Sequence, residues 1–185
     1  MECANDLINL DPTCNALKKK GGLKKKVWVV PHDESVRTYT EDVDGYVDSV
    51  TIATTSPATK INTFTGKKLK HHATITGEVG ENANTIKQDL NLVLYFYSPE
   101  EREAIENLFR SEEVDVFVQT EGGQVELWGY DTGLTASALT GGTGTALNDS
   151  TAVTITLSGS QDDLPKACKF GSTVADDVAY LDALT

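Results

Sequence analysis

The sequence predicts a mainly β fold: a β-sandwich or barrel flanked by one short α-helix, with extended arms or a hairpin for assembly. Three observations carry this. Short runs rich in Val, Ile, Thr and aromatic residues recur along the 185 residues, most of them closed by Gly, Pro, Asn or Asp. The dipeptides Asp44-Gly45 and Gly122-Gly123 mark hairpin turns between such runs. Only one segment, residues 99–110, carries a complete set of helix signals, too short for a bundle and long enough to cover part of a sheet.

Residues 1–26 read as an N-terminal arm. Pro12 interrupts the short apolar stretch Leu7-Ile8-Asn9-Leu10, and two lysine triplets, Lys18 to Lys20 and Lys24 to Lys26, flank Gly21-Gly22. The triplets are either an anion-binding or docking patch or a solvated lead-in to the first strand. A domain follows over 27–165, opening with the strand Val27-Trp28-Val29-Val30, which ends at Pro31. Residues 36–55 predict two strands around Asp44-Gly45, with Tyr46, Val50 and Ile52 pointing inward. Lys60 to His72 predicts a polar ribbon with little core of its own, either laid on a neighbouring subunit or an ordinary surface hairpin. Residues 73–78 alternate as a strand, which places the adjacent His71 and His72 on opposite faces.

The scaffold is residues 90–130. Leu90, Leu92, Leu94 and Phe96 share one strand face, and Val93, Tyr95 and Tyr97 make the other face apolar as well, so burial on both sides is expected, by a sheet and a helix or by a sheet and another subunit. In the helix, Ser98 is the N-cap, Pro99 occupies the first position and Glu101 completes a capping box. Glu100, Glu101 and Glu103 suit the positive end of the helix dipole, and Ala104, Ile105, Leu108 and Phe109 form the apolar stripe. Residues 114–119 and 124–130 predict a hairpin, with Gly129 at a bulge or close backbone approach. Residues 131–149 read as a Gly/Thr-rich loop, and 152–159 as the last strong strand. Residues 166–185 form a C-terminal tail in which Val174, Val178 and Leu181 make a short helix or lie along a neighbour.

Charge divides the chain. Residues 1–72 hold 11 Lys/Arg against 9 Asp/Glu, and residues 73–185 hold 5 against 19, within a net charge of -12. An acidic chain is a poor candidate for wrapping a phosphate backbone. A mildly basic front and a strongly acidic back suit head-to-tail stacking of copies. Three cysteines, Cys3, Cys14 and Cys168, cannot all pair within one chain and match no zinc spacing, so reduced thiols are expected. Neither a signal peptide nor a membrane span is expected, which points to synthesis in a cytoplasm.

No catalytic constellation emerges, so catalytic, cofactor-binding and metal-ligating residues are all expected to be none, and the protein is expected not to be an enzyme. Gly-x-Ser-x-Gly and His-Glu-x-x-His are absent. The acid pairs Glu112-Glu113, Asp162-Asp163 and Asp176-Asp177 read as solvated turn residues. Asp42, Asp44 and Asp48 lack the Gly and closing Glu of a calcium loop. Gly141 to Thr145 lacks the lysine and the strand-to-helix setting of a phosphate loop. His32, His71 and His72 have no chelating spacing.

Residues 127–134 (Leu-Trp-Gly-Tyr-Asp-Thr-Gly-Leu), 144–149 (Gly-Thr-Ala-Leu-Asn-Asp) and 152–161 (Ala-Val-Thr-Ile-Thr-Leu-Ser-Gly-Ser-Gln) resemble virion structural proteins of tailed phages and prophages of Bacteroidota, most of all their tail tube proteins. The opening Leu7 to Cys14 is similar to the start of such proteins. The resemblance covers about half the chain, mostly its C-terminal half, and leaves residues 36–81 unmatched. It implies a β-sandwich or barrel flanked by a helix. Six copies would form a ring whose sheets join into a continuous inner wall, and rings would stack into a tube that conducts DNA. It further implies an inter-ring hairpin, assigned to Lys60 to Ala73, an acidic lumen, homo-oligomeric and other tail or connector partners, DNA only as passing cargo, no membrane, and a place in the virion tail after assembly in the host cytoplasm. The alternatives are another virion component (a head-tail connector, ring or decoration protein) and a β-sandwich ligand-binding module.

Overall fold

A computed structural model describes residues 22–33, 35–52, 61–66, 70–80, 83–95, 98–142 and 152–185. The fold is mainly β, two sheets with two helices. The larger sheet takes β1 (Leu23–Pro31), β2 (Arg37–Glu41), β3 (Val47–Ile52), β4 (Asn62–Thr65), β7 (Val114–Thr120), β8 (Val125–Trp128) and β11 (Lys166–Cys168) in the order β2-β3-β11-β8-β7-β1-β4. The smaller takes β5 (His72–Val79), β6 (Asn84–Tyr95), β9 (Thr135–Gly142) and β10 (Ala152–Gln161) in the order β5-β6-β10-β9, antiparallel throughout. Helix α1 (Pro99–Arg110) follows β6, and α2 (Val174–Ala183) closes the chain.

Alternation along the central strands builds two cores, one on each face of the larger sheet. Val27 and Val29 of β1, with Val114, Val116 and Val118 of β7, face the smaller sheet and meet Leu90, Leu92, Leu94, Ile155 and Leu157. Trp28, Val30, Phe117, Val125 and Leu127 face the other way and meet Val50, Cys168 and Leu181. Burying each Val, Leu or Ile in full contributes about 1.5–3 kcal/mol. The strands buried on both faces are thus β1 and β7. In β6, Leu90, Leu92 and Leu94 are buried as expected, while Asn91, Val93 and Tyr95 form a half-buried second face. Phe96 and Tyr97 lie outside the described residues.

Helix α1 has the predicted bounds and cap. Glu101 N–H donates to Ser98 Oγ (3.2 Å) and Ser98 N–H donates back to Glu101 Oε2 (3.0 Å). Its buried residues are Ile105 and Leu108; Ala104 and Phe109, expected in the stripe, are exposed because only a narrow arc of the helix enters the core. The stretch 166–185, read as a tail, supplies β11 and α2. Thr173 and Asp176 form a second capping box, and Leu181 is fully buried against the larger sheet. The Tyr180 hydroxyl donates to Val50 O (3.1 Å) and accepts from Val50 N–H (3.2 Å), while Trp28 Nε1–H donates to Asp182 Oδ1 (2.8 Å). Ring contacts run on from Tyr180 to Phe170, Phe117, Tyr39 and Tyr130.

Four expectations are corrected. The stretch 131–149, read as a Gly/Thr-rich loop, supplies strand β9 at Thr135–Gly142, which pairs with β10. Tyr46, predicted to face inward, sits beyond the hairpin turn and is 36% exposed, whereas Val50 is buried and Ile52 half-buried. The second lysine triplet belongs to β1, where Lys24 pairs with Glu121 (3.4 Å) and Lys26 with Asp182 (2.5 Å); Lys18 to Lys20 lie outside the described residues. The ribbon assigned as a projecting hairpin is a crossover between the sheets. Residues 62–65 pair with β1 of the same chain, Ile61 is buried, and the chain passes at Gly66 into the smaller sheet, where residues from His72 onward pair with β6.

Candidate assembly surface

Among the described residues, the outer face of the smaller sheet is half-buried to exposed. Its cross-strand rows set His72, Asn91, Thr156 and Ala138 side by side, then Thr74, Asp89, Ser158 and Thr135. The Thr156 hydroxyl donates to Asn91 Oδ1 (2.8 Å) and the Ser158 hydroxyl to Asp89 Oδ1. Lys87 lies 3.6 Å from Asp89, so the cation on this face has a counter-charge beside it. Hydroxyl and amide groups dominate, as the Thr/Ser alternation of β5 and β10 dictates.

Both edges of this sheet are open among the described residues. β5 and β9 are eight residues each and exposed over most of their length. Neither carries lysine or proline, two of the usual guards of an exposed edge; β5 has one charged residue, Glu78, and β9 a bulge at Ser137. The larger sheet ends instead in short strands, five residues in β2 and four in β4, with Arg37 and Glu41 on β2. Leu139 on β9 and Ile75 on β5 are 39% and 47% exposed.

The Trp128 to Leu134 motif is a turn that carries the chain from the larger sheet to the smaller. Gly129 (φ 85°) and Gly133 (φ 72°) take left-handed backbone conformations within it. Two buried glutamines hold it. Gln161 Oε1 accepts from the N–H groups of Asp131 (2.9 Å) and Thr132 (3.1 Å), and its Nε2 donates to Thr132 Oγ1 and Gly133 O (both 2.8 Å). Gln88 Oε1 accepts from Gly129 N–H (3.1 Å) and its Nε2 donates to Asp163 O (3.1 Å). The motif's work is architectural: it satisfies buried backbone groups that a crossing turn would leave unpaired. The companion stretch Gly144 to Asp149 lies outside the described residues.

Among the described residues one cluster of ionisable side chains is buried around Asp115. Asp115, on the Phe117 face of β7, is fully buried. Its Oδ1 lies 2.7 Å from His32 Nδ1, its Oδ2 accepts from the Tyr39 hydroxyl (2.6 Å), and Arg37 Nε lies 2.5 Å from Oδ2. The Arg37 contact is an ion pair rather than an aligned hydrogen bond, since Nε has no acceptor on its N–H axis. Burial pushes the Asp115 carboxyl above its ordinary range, against the opposing pull of Tyr39, His32 and Arg37. Burial and the neighbouring Asp115 push the Tyr39 hydroxyl far upward. The cluster ties β2, and the loop before it, to the sheet's centre. It also contains the one close Asp–His couple among the described residues, but Asp115 is already engaged by three partners, and the clefts beside α1 and α2 do not border it. Sequence reasoning missed it. The available signal was Asp115 itself, an acid inside the apolar run Val114 to Val118.

His71 and His72 point to opposite faces as expected: His71 is buried and His72 exposed. His71 bridges the sheets. Its Nδ1 accepts from Val93 N–H of the smaller sheet (3.0 Å) and its Nε2–H donates to Lys25 O of the larger (3.1 Å), which fixes the neutral tautomer. Burial lowers its pKa below 6.5. Gly66 makes room for the ring; a Cβ there would lie 2.2 Å from His71 Cε1 and 2.1 Å from Val93 O.

The other residues singled out in the sequence take structural places. Asp162 and Asp163 donate their N–H groups to Asp131 Oδ2 (both 3.2 Å). Asp176 caps α2, and Asp177, buried, accepts from the N–H groups of Phe170 (2.7 Å) and Gly171 (2.9 Å). Glu112 and Glu113 are exposed. Asp42 accepts from the N–H groups of Asp44 and Tyr46 (both 2.9 Å), an Asx turn inside the β2–β3 hairpin. Cys168 is free and buried, its thiol pushed up by burial; Cys3 and Cys14 lie outside the described residues. Among the described residues no group of His, Cys, Asp and Glu could hold a metal ion, and no helix is long and apolar enough to cross a membrane. A cleft of about 510 Å³ opens between β4 and α1, bordered by Ile61, Phe64, Leu94 and Ile105; its acid, Glu101, is engaged in the helix cap.

Among the described residues the longest open strand edges are therefore those of the smaller sheet. No family model, curated protein or solved structure matches the chain.

Proposed function

We propose that the chain is a self-assembling structural subunit that closes into rings through the open edges of its smaller sheet, in the manner of a phage tail tube protein, with the outer face of that sheet lining the lumen. The observation that carries this reading is the pair of eight-residue edges, open among the described residues, on a four-stranded antiparallel sheet. An even strand number makes β5 and β9 run in opposite directions. Copies related by rotation about a common axis then set β9 of one beside β5 of the next, antiparallel, and the sheet continues without a break. A closed sheet has no edge left to aggregate.

The resemblance implies six copies. About 24 strands spaced about 4.8 Å apart and tilted about 40° give a barrel roughly 48 Å across at the backbone, wider than a DNA duplex. The wall would be mostly neutral, its Thr, Ser and Asn groups accompanied by Lys87, Asp89 and Glu78. With Lys87 beside Asp89, the face has little to hold a phosphate backbone, which suits passing cargo. This differs in kind from the acidic lumen expected from the resemblance: release would come from scarcity of cations more than from repulsion.

Negative-stain electron microscopy of the purified chain tests the reading. Rings or tubes with an open lumen are expected. A protein that stays strictly monomeric at high concentration, alone and with its virion partners, would overturn it.

A further inference from the structure

The two open edges are not level with each other. Across the ladders, Ala136 of β9 shares a row with Leu157, Leu90 and Ala73 of β5. From that row β5 extends one way, through Ile75 and Gly77 to Val79, and β9 the other way, through Leu139 to Gly142. Their midpoints are offset by about four residues along the strand direction, or about 13 Å at the usual rise per residue. A flat sheet has no use for such an offset. A closed barrel requires one, because tilted strands shift register steadily around the circumference. An offset of about 13 Å over four strands, about 19 Å wide, corresponds to a tilt of about 35°, at the lower end of the range for closed barrels.

We infer that β9 of one copy pairs with β5 of the next at this four-residue stagger, so that Leu139 stands directly opposite Ile75. The inference rests on the ring reading and gives its interface a register. Opposed residues in an antiparallel pair point to the same face, so the stagger must be even if the core-facing residues of both copies are to stay on one side. A stagger of about four places all of β9 along β5; two or six leaves part of it unpaired. It sets Gly141 opposite Ala73, Thr140 opposite Thr74, Ala138 opposite Thr76 and, because Ser137 is an extra, bulged residue of β9, Ala136 opposite Gly77. The core side then holds one large pair, Leu139 with Ile75, between small ones. Both of these residues are large apolar side chains left exposed on their own strands, and the pairing would bury each against the other. The luminal side continues the hydroxyl rows without adding charge.

Disulfide trapping tests the register. In a Cys3→Ser/Cys14→Ser background, the Ile75→Cys/Leu139→Cys variant is assembled, oxidised and run on a non-reducing gel. Directly opposed strand residues have Cα separations that a disulfide spans. A ladder of covalent multimers is expected from most of the protein, with several-fold less from Ala73→Cys/Leu139→Cys and Gly77→Cys/Leu139→Cys. Rings whose ladder comes instead from either of those pairs would overturn the register and leave the ring reading standing. Dimers from Ile75→Cys alone would show two-fold β5–β5 pairing and overturn it too. Absence of rings from the unsubstituted protein in the microscope would overturn the ring reading beneath it.

Discussion

Replacing Asp115 by Asn isolates the charge of the buried cluster while keeping the side chain's shape. The carboxylate is fully buried and engages His32, Tyr39 and Arg37, so the change leaves the Arg37 guanidinium, itself only 9% exposed, with no counter-ion at contact distance among the described residues. Removing one partner of a buried ion pair costs about 3–5 kcal/mol. For a chain of this length each kcal/mol lowers the thermal midpoint by about 2–4 °C, so a fall on the order of 6–20 °C is expected. Adding Arg37→Met removes the stranded charge and should recover more than half of the loss, since an apolar replacement of the whole pair is often neutral or stabilising. Urea denaturation of the four species of the double-mutant cycle provides the assay. The reasoning fails if Asp115→Asn costs less than about 1 kcal/mol, or if the two changes are additive, because directly coupled partners do not add.

Three further outcomes follow from the same geometry. His71 must be neutral to accept from Val93 N–H, and its folded pKa is lowered, so the stability it supplies is full above 6.5 and is lost as pH falls through the lowered folded value. A His71→Gln variant keeps one donor and one acceptor, and its stability curve should fall less steeply between about pH 7 and pH 5; parallel curves would dismiss the latch. Gly133→Ala forces a side chain into a backbone at φ 72° with its Cβ 2.8 Å from Glu113 Cβ and 2.9 Å from His32 Cγ. It should lose at least about 1–2 kcal/mol in chemical denaturation, and an unchanged midpoint would mean the turn is looser than described. Deleting residues 61–72 removes β4, the buried Ile61 and the His71 bridge, so the product should show no cooperative unfolding by circular dichroism. A cooperatively folded deletion would restore the projecting-arm assignment.

What the sequence made legible was local. Ser98-Pro99-Glu100-Glu101 states a helix start in four residues, and Asp44-Gly45 and Gly122-Gly123 state their turns, because each signal acts between near neighbours. Alternation exposed the buried faces of β6 and β10. Pairing between distant segments left no such trace. Lys166-Ala167-Cys168 holds no local strand signal, yet it lies between β3 and β8, with Cys168 aligned to Val47 on one side and Val125 on the other. The α2 helix had its Thr173-to-Asp176 box in plain view. Whether it docks on its own chain depends on Trp28, Val50 and Tyr180 meeting, which no short window contains. The polar ribbon was misread for a related reason: Phe64 and Ile61 are sparse, and their burial arises on opposite faces of the larger sheet, Phe64 in the core shared with the smaller sheet and Ile61 in the core around Trp28 and Leu181, rather than from any pattern of their own. The surface proposed for assembly was legible only as a strand, β6, with a second face rich in Val and Tyr. That β5 and β9 end the sheet, staggered relative to each other, is a property of topology.

Hydrogen exchange compared between assembled and dissociated protein tests the central claim most directly. Edge amides exchange quickly until another strand pairs with them. The account predicts new protection on assembly in β5 and β9 together, with β6 and β10 little changed. Protection that appears instead along β2 and β4 of the larger sheet, or on β5 without β9, would contradict it.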